Sequence, residues 1–325
     1  MKFFRKAWDI LKQTVLNFFQ DDSFSYASSI AFYTIFSLPA ILIISLSVGA
    51  TFYEREVVQE ELINQVSRLI GEQSAADIEK ILINAAVDST GTVAKIFAIA
   101  TLIFSATTVF ISLQTSLNKI WGIKPKPERG FVKYLLDRLL SLAMVMSIGF
   151  LLLVSLVIDT VLMIIQNGLS KIMAGWTLYF VTTLNIIFSL ALITFIFAML
   201  YKALPDAKIK WRDVWVGSII TTAFFTLGKY LIGFYLGNSS LNSAYGAAGS
   251  LVIILIWVYY STIIFLFGAE LTSVYAEKTG SEIIPYHHAV KVQMVEVEKD
   301  VENGKTVVSD RQVRHENPVP VEVKS

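Results

Sequence analysis

The sequence predicts an all-α fold, a polytopic membrane protein with six transmembrane helices and both termini in the cytoplasm. Three observations predict it. Of the 325 residues, 54% are hydrophobic and only 16% are charged, against about 25% charged in typical soluble domains. Six apolar stretches are each long enough to cross a bilayer, and Lys and Arg are distributed unequally between them. The mean hydropathy of +0.60 also excludes a soluble enzyme with a large core.

The N-terminal segment, residues 1–22, is predicted to form an amphipathic helix. Its apolar residues recur at intervals of three and four, on one helical stripe: Phe4, Trp8, Leu11, Val15 and Phe18. The basic residues of its first turns are Lys2, Arg5, Lys6 and Lys12. Two positions remain open for this helix. It lies along the cytoplasmic headgroups with its rings in the interface, or it packs on the inner surface of the protein itself.

The membrane domain is predicted to cover residues 25–277. A bilayer core of about 30 Å needs about 20 residues of apolar helix. Six stretches meet this length: roughly 28–52, 93–117, 136–165, 177–201, 213–236 and 248–276. Of the 27 Lys and Arg residues, 21 lie on one side of these spans, five lie on the other, and Lys229 lies inside the fifth. Because basic residues accumulate in cytoplasmic segments, the side with 21 is the cytoplasm.

Two segments lie outside the spans. The external loop, residues 53–92, has apolar residues at helical spacing on both sides of the sequence GEQSAAD, which predicts a helix pair. Its acidic residues indicate a solvated face in preference to a cation site. The polar cytoplasmic tail, residues 278–325, has too little apolar content for a core of its own. We expect it to be largely disordered, with a transient hairpin turn at ENGK.

Small and hydroxyl-bearing residues follow one side of several spans. Two explanations remain open: these sides are the contact faces of a close-packed bundle, or they line a polar path across the membrane. Pro39 favours a kink, because it frees a backbone carbonyl one turn earlier. The residues that would border such a path include Tyr33, Asn185, Trp257, Tyr260 and Ser261. Those expected to let helices approach closely are Gly246, Gly249 and Gly268.

Three ionisable residues lie within the spans, where charge is costly and often functional. Asp159 and Lys229 lie at similar depth in the external half, so they form a candidate ion pair. Glu270 lies near the cytoplasmic end of the sixth span. It either clamps the structure or handles a proton or an ion. The basic residues expected at its level are Arg138, Lys202 and Arg212.

The residues offer little for catalysis. The chain has no cysteine and three histidines, all in the tail, so thiolate chemistry is excluded and no His–carboxylate ligand set has metal-binding spacing. We find no phosphate-binding glycine loop and no Ser-His-Asp arrangement. The cytoplasmic lysines follow from membrane topology and need no nucleic-acid partner. The sequence therefore predicts neither an enzyme nor a cofactor or metal site.

Four motifs carry a family resemblance that covers nearly the whole membrane part: SYASSIAFYTIFSLPAILI, SLNKIWG, YKALPDAKIKWRDVWVGSIITT and NSAYGAAGSLVIILIWVYYSTIIFLFGAELT. Together they resemble the YihY/BrkB family of bacterial inner-membrane proteins. The resemblance implies a six-helix protein of the bacterial inner membrane. Members have been labelled virulence or serum-resistance factors and, by an older assignment, tRNA-processing ribonucleases; export of lipids or envelope precursors has also been proposed.

Two functions are weighed against each other at this stage. The first is movement of a polar solute, a lipid or an envelope precursor across the membrane, for which the internal hydroxyl groups and ionisable residues would be suited. The second is a non-transporting envelope scaffold or assembly factor that docks a partner. Membrane lipids are the expected partners, and homo-oligomer formation is left open.

Overall fold

The computed structural model describes the following residues: 2–70, 72–84, 92–126, 136, 138–144, 146–147, 176–237, 249–279, 283–292, 297–299 and 306–308. The fold is mostly helical. The helices are α1 (Lys2–Gln20), α2 (Ser23–Gly49), α3 (Arg55–Ile70), α4 (Glu72–Asn84), α5 (Thr92–Ile120), α6 (Trp176–Ala203), α7 (Trp211–Gly237) and α8 (Gly249–Lys278). The strands are β1 (Ile123–Pro125), β2 (Ala207–Lys208), β3 (Ile284–Pro285), β4 (Ala289–Lys291), β5 (Val297–Lys299) and β6 (Thr306–Val308).

Four helices within the described residues are long and apolar enough to cross a membrane. They are Ser23–Gly49, Thr183–Ala203, Trp211–Ile232 and Leu251–Lys278. These match the first, fourth, fifth and sixth predicted spans. The second predicted span coincides with α5, and most of the third lies outside the described residues. The fold is therefore that of a helical membrane protein with three short strand pairs; the sequence predicted the pair around ENGK, and it did not predict the other two.

Helix α8 is the central element of the bundle and packs against α7, α2 and α1. Helix α2 also packs along α5, and α6 packs along α7. The α2–α5 contact lies beside Pro39, whose ring has no N–H for the helix ladder. There Ser105 donates from Oγ to the Phe36 carbonyl (2.9 Å), and Ser37 donates to the Ser105 carbonyl (2.6 Å). Two spans are thus joined by reciprocal hydrogen bonds next to the proline.

Helix α1 lies against the membrane domain. Its Thr14, Asn17 and Phe18 are buried, and the Phe18 ring meets the Phe267 ring of α8 edge-on at 5.7 Å. At the end of α8, the Lys278 ammonium donates to the Asp9 carbonyl (2.8 Å). One face of α1 therefore packs on the protein's own surface, which was the second of the two positions that the sequence left open.

The external segment forms the predicted helix pair, α3 and α4. Val58 and Leu62 of α3 and Ile78 of α4 are buried in one apolar cluster, which also contains Ile253 and Trp257 of α8. The pair is also joined by a hydrogen bond from the Gln59 amide to the Glu79 carboxylate (3.4 Å). The pair therefore packs on the membrane domain through its apolar sides.

The prediction of a largely disordered tail does not hold for residues 283–292, which we call the tail strap. Strand β3 pairs antiparallel with β2, and β4 pairs antiparallel with β1. Both partner strands are short connections that follow α5 and α6. Ile283 and Ala289 are buried against them. Backbone hydrogen bonds to these distant connections order the strap. Such bonds cannot be predicted from the composition of the tail alone. Further along, β5 and β6 pair antiparallel on either side of the ENGK turn.

Candidate functional site

A buried carboxylate organises the end of the bundle at which α5 and α6 end. Asp206 is 5% exposed and accepts hydrogen bonds from the amides of Asn118 (2.9 Å) and Gln114 (3.4 Å). The Asp206 backbone N–H donates to Asn118 Oδ1 (2.9 Å). His288 of the tail strap places Nε2 3.0 Å from Asp206 Oδ1. We call these four residues the Asp206 cluster. It connects α5, the α6–α7 turn and the tail strap.

The tail strap is also held by its backbone. The Tyr286 N–H donates to the Asp206 carbonyl (2.9 Å), and the Lys126 N–H donates to the His288 carbonyl (2.8 Å). The Val292 N–H donates to the carbonyl of Gly122, whose φ of +62° is a conformation that glycine adopts readily. The rings of Tyr286 and His288 stack at 5.8 Å. The strap is therefore an ordered part of the surface at this end of the bundle.

A second group of buried polar side chains, around Tyr201 and Glu270, lies further into the bundle than the Asp206 cluster. Tyr201 of α6 is completely buried, donates to the Phe265 carbonyl of α8 (2.7 Å) and shares a hydrogen bond with Thr221 of α7 (3.0 Å). Glu270 of α8 is also completely buried. Its neighbour Ala269 accepts a hydrogen bond from the Trp121 indole (3.2 Å). Three spans and the end of α5 therefore meet around Tyr201 and Glu270.

Helices α7 and α8 approach each other through glycine. A side-chain carbon at Gly268 would overlap Thr221 Oγ1 and lie 2.5 Å from the Tyr201 hydroxyl. A carbon at Gly217 would overlap Thr272 Oγ1, and one at Gly228 would lie 2.5 Å from the Tyr260 hydroxyl. Small residues of this kind let membrane helices make close backbone contact. Of the glycines expected to act in packing, Gly249 is buried and Gly246 lies outside the described residues.

Most of the described hydroxyl groups donate within their own helix. The bonds run to the carbonyl four residues earlier from Thr107, Thr115, Ser116, Thr194, Thr221, Thr222, Thr262 and Thr272. Thr194 of α6 also contacts Thr222 of α7 (3.0 Å). These bonds favour the explanation that the hydroxyl sides are contact faces, since their donors are satisfied without water.

The other residues predicted to border a polar path are dispersed. Tyr33 is 41% exposed on α2, with its ring 5.9 Å from that of Phe32, so it faces away from the bundle interior. Asn185 is half-buried and accepts from Ser189 (3.2 Å). Trp257 is buried with its ring 6.0 Å from Phe225. Tyr260 packs on Gly228, and Ser261 is half-buried one position further along α8.

The two ionisable residues of the external half are not both described. Asp159 lies outside the described residues, so its pairing with Lys229 stays a prediction. Lys229 is half-buried on α7, beside Gly228, which faces α8. Within the part of the chain that the structure describes, the Lys229 ammonium has no hydrogen bond and no ion pair.

Arg138 lies deeper than its sequence position indicated. One guanidinium nitrogen donates to the Phe104 carbonyl (2.7 Å) and to the hydroxyls of Thr107 and Thr108, and the guanidinium stands 4.0 Å from the Phe104 ring centre. Phe104 lies near the middle of the 29-residue α5. Glu270 lies instead beside Trp121, which follows the end of α5. Arg138 therefore contacts the middle of α5 and does not share a level with Glu270.

Lys202 and Arg212, the other expected partners of Glu270, lie at the end of α6 and at the beginning of α7. Lys202 donates to the Ile209 carbonyl and stands 5.6 Å from the Trp211 ring centre. Arg212 is exposed. Within the described residues, no group of three or more His, Asp or Glu residues is placed to hold a metal ion.

An apolar groove of about 630 Å³ opens on the side of the bundle. It lies between the end of α2, helical residues 143–147 and α6. Its lining residues are Val48, Phe52, Ala143, Met144, Met146, Ser147, Phe195, Ile196, Met199 and Leu200. The groove and Arg138 share one helical segment. Together they present an apolar slot and a cation within the membrane domain.

Sequence patterns missed the Asp206 cluster and the tail strap. Asn118 and Gln114 are separated by one helical turn at the end of an otherwise apolar helix, which was the available signal. Asp206 comes from a turn 88 positions away from Asn118. Local periodicity does not report such a contact. Gly217 was missed as well, because its closeness to α8 depends on how two spans are aligned.

Comparisons with known proteins agree with this architecture. The family model described as Virulence factor BrkB matches residues 14–292, a range that includes the tail strap. A UPF0761 membrane protein of Verminephrobacter eiseniae is 27% identical over 273 residues, which cover 83% of this chain and 63% of that protein. One of Psychrobacter sp. is 25% identical over 293 residues, which cover 88% of this chain and 52% of that protein.

A third relative is a UPF0761 membrane protein of Legionella pneumophila, 26% identical over 284 residues, which cover 85% of this chain and 65% of that protein. The chain thus spans about half to two thirds of the length of these relatives. No solved structure matches the chain.

Proposed function

Because the chain belongs to the BrkB virulence-factor family of membrane proteins, we propose that it moves an amphiphilic lipid or envelope precursor across the bacterial inner membrane. It does so as a six-span protein with both termini in the cytoplasm. The four apolar helices would supply four crossings and α5 a fifth, and the sequence predicts the sixth at residues 136–165, most of which lie outside the described residues. The orientation rests on the bias of 21 Lys and Arg residues to one side.

The observation that carries the proposal is the apolar groove lined by Ala143 and Met144, on the helical segment that also carries Arg138, whose guanidinium contacts the middle of α5. An amphiphile needs an apolar surface for its hydrocarbon chains and a polar or charged partner for its headgroup. The groove offers the first and has few polar atoms among its lining residues. The guanidinium offers the second, because Arg pairs with phosphate and carboxylate groups through strong, directed hydrogen bonds. Ionisable groups at this depth are costly, which favours a role in a substrate path.

The proposal needs no catalytic residue, cofactor or nucleic-acid partner. Neither the groove nor the Asp206 cluster presents a nucleophile activated by a neighbouring base. The substrate class follows from the groove and from Arg138. We do not extend it to small polar solutes, because the described hydroxyl groups mostly bond within their own helices.

Filling the groove is expected to block lipid movement. Ala143 lines the groove and is exposed within it, so Ala143→Trp places an indole where the chains would lie. We expect the rate at which a fluorescent phospholipid crosses reconstituted vesicles to fall at least tenfold. The matched control is Ala191→Trp, which makes the same change at an exposed position of α6 outside the groove. Equal rates in both variants and the unmodified protein would remove the groove from the mechanism.

The buried charges of the external half provide a second test. Lys229→Met keeps the length of the side chain and removes its charge, and Asp159→Leu removes the predicted partner. We expect each variant to accumulate in the membrane and to slow lipid movement by about tenfold, the factor that corresponds to about 1.4 kcal/mol. If both variants fold and retain full activity, a charged path through this half is untenable.

An envelope scaffold is the second candidate, and the dry contact of α7 with α8 favours it. Glycine, threonine and tyrosine fill that contact, with little room for water. A scaffold would retain its cellular phenotype in the Ala143→Trp variant and would show no lipid movement in vesicles of the unmodified protein. These two results together would replace the transport proposal.

A further inference from the structure

The inner and outer faces of helix α1 have different surroundings. The inner face, with Thr14, Asn17 and Phe18, is buried against the membrane domain. The predicted stripe does not stay together: Phe18 turns inward, while Trp8, Leu11 and Val15 remain exposed. The rings of Phe18 and Phe267 fix the inner face to α8. The outer side of α1 therefore needs a partner of its own.

The outer face forms a continuous apolar arc. Its exposed side chains are Trp8 (67%), Leu11 (37%), Val15 (39%) and Phe19 (66%). The intervals of three, four and four residues place them on one side of the helix. Arg5 and Lys12 are exposed and lie together along one edge of the arc on the helical wheel. Large apolar side chains gathered on one surface, with cations at the edge, mark an interaction site.

The position of α1 in the fold indicates which partner binds its outer face. The helix ends at Gln20, and the membrane-spanning α2 begins at Ser23. Asp22, with a left-handed backbone (φ 54°), makes the turn between them. Helix α1 thus ends at the level at which a span enters the bilayer. Given the orientation in the proposed function, this level is the cytoplasmic headgroup layer, which carries negative lipids.

We propose that the outer arc of α1 binds the anionic cytoplasmic leaflet. Trp8, Leu11, Val15 and Phe19 enter the boundary between headgroups and acyl chains, and Arg5 and Lys12 pair with lipid phosphates. Amphipathic helices bind membranes through this combination of apolar burial and charge attraction. Because the inner face is held by α8, the leaflet contacts the central helix of the bundle through α1.

Site-directed spin labelling tests the proposal directly, because the chain has no cysteine of its own. A nitroxide is attached at Val15→Cys in the arc and, as the matched control, at Gln13→Cys, an exposed position on the other side of α1. The full-length protein is placed in vesicles of phosphatidylcholine mixed with phosphatidylglycerol in equal parts. Collisions with oxygen and with a water-soluble nickel chelate are then compared.

We expect the label at residue 15 to be accessible to oxygen and shielded from nickel, and the label at residue 13 to show the reverse. A residue-15 label shielded from both reagents would mean that a protein partner or a second copy covers the arc. A label open to nickel would mean that the arc faces water. Either result overturns the proposal. The outcome does not depend on lipid movement, so it is independent of the transport experiments.

A charge reversal tests the role of the basic edge. Lys12→Glu is expected to raise the nickel accessibility of the label at residue 15 by about fivefold in these vesicles, because a cation near an anionic surface strengthens binding by about this factor. In vesicles of phosphatidylcholine alone we expect a much smaller increase. Lys6→Glu is the matched control. It makes the same change at an exposed position on the opposite side of the helix. An equal effect of both variants would contradict binding through the arc.

Discussion

Gly268→Ala is expected to destabilise the membrane domain by about 3 kcal/mol, the upper end of the usual cost of overpacking. The added carbon would overlap Thr221 Oγ1 and lie 2.5 Å from the Tyr201 hydroxyl. Helix α8 would have to move away from α6 and α7, which would break the buried hydrogen bond from the Tyr201 hydroxyl to the Phe265 carbonyl of α8 (2.7 Å). Thermal unfolding of the purified protein in detergent, followed by tryptophan fluorescence, measures the loss.

A double-mutant cycle controls for unrelated effects at the same position. Thr221→Ala removes the nearest atom that the new methyl group would meet, at the cost of its two buried hydrogen bonds, to Tyr201 and to the Gly217 carbonyl, of about 1 kcal/mol each. In the Thr221→Ala background, Gly268→Ala is expected to cost at least 1 kcal/mol less than it costs alone, as for residues in direct contact. Additive losses would show that the two helices are not closely packed at this point.

Asp206→Ala is expected to release the tail strap and to cost about 3 kcal/mol of stability, because each buried hydrogen-bonding group that loses a partner costs about 1–3 kcal/mol. The substitution removes the carboxylate that accepts from the buried amides of Asn118 and Gln114, and it removes the contact with His288. The specific readout is trypsin cleavage after Lys291, a strap residue that pairs with Ile123 of β1. We expect cleavage there to become about tenfold faster, the factor that corresponds to about 1.4 kcal/mol.

The adjacent histidines supply the matched control for the strap. His288 contacts Asp206 at 3.0 Å, whereas His287 is exposed. His288→Ala is expected to speed cleavage after Lys291 in the same direction as Asp206→Ala, and His287→Ala to leave it unchanged. If both histidine variants behave alike, the Asp206–His288 contact does not hold the strap, and its backbone pairing with β1 and β2 is sufficient.

The sequence determined the membrane class of this protein and the placement of its long helices. Length and hydropathy are additive along the chain, so runs such as Ser23–Gly49 and Leu251–Lys278 can be read from composition alone. The external helix pair and the ENGK hairpin also follow from local patterns, since apolar spacing and turn residues act over a few positions. The sequence also singled out Gly268 as a point of close helix approach, because small residues favour such contacts in membranes.

Only the tertiary structure decided which polar residues meet. Asp206, Asn118 and His288 come from three distant segments, and Arg138 reaches the middle of α5 through a contact 34 positions away. The stripe on α1 was read as one face, yet packing against α8 divided it into a buried and an exposed side. The physical reason is common to these cases. Apolar burial in lipid depends on the composition summed along one helix. A hydrogen bond instead needs two specific atoms about 3 Å apart. The alignment of neighbouring helices sets that distance.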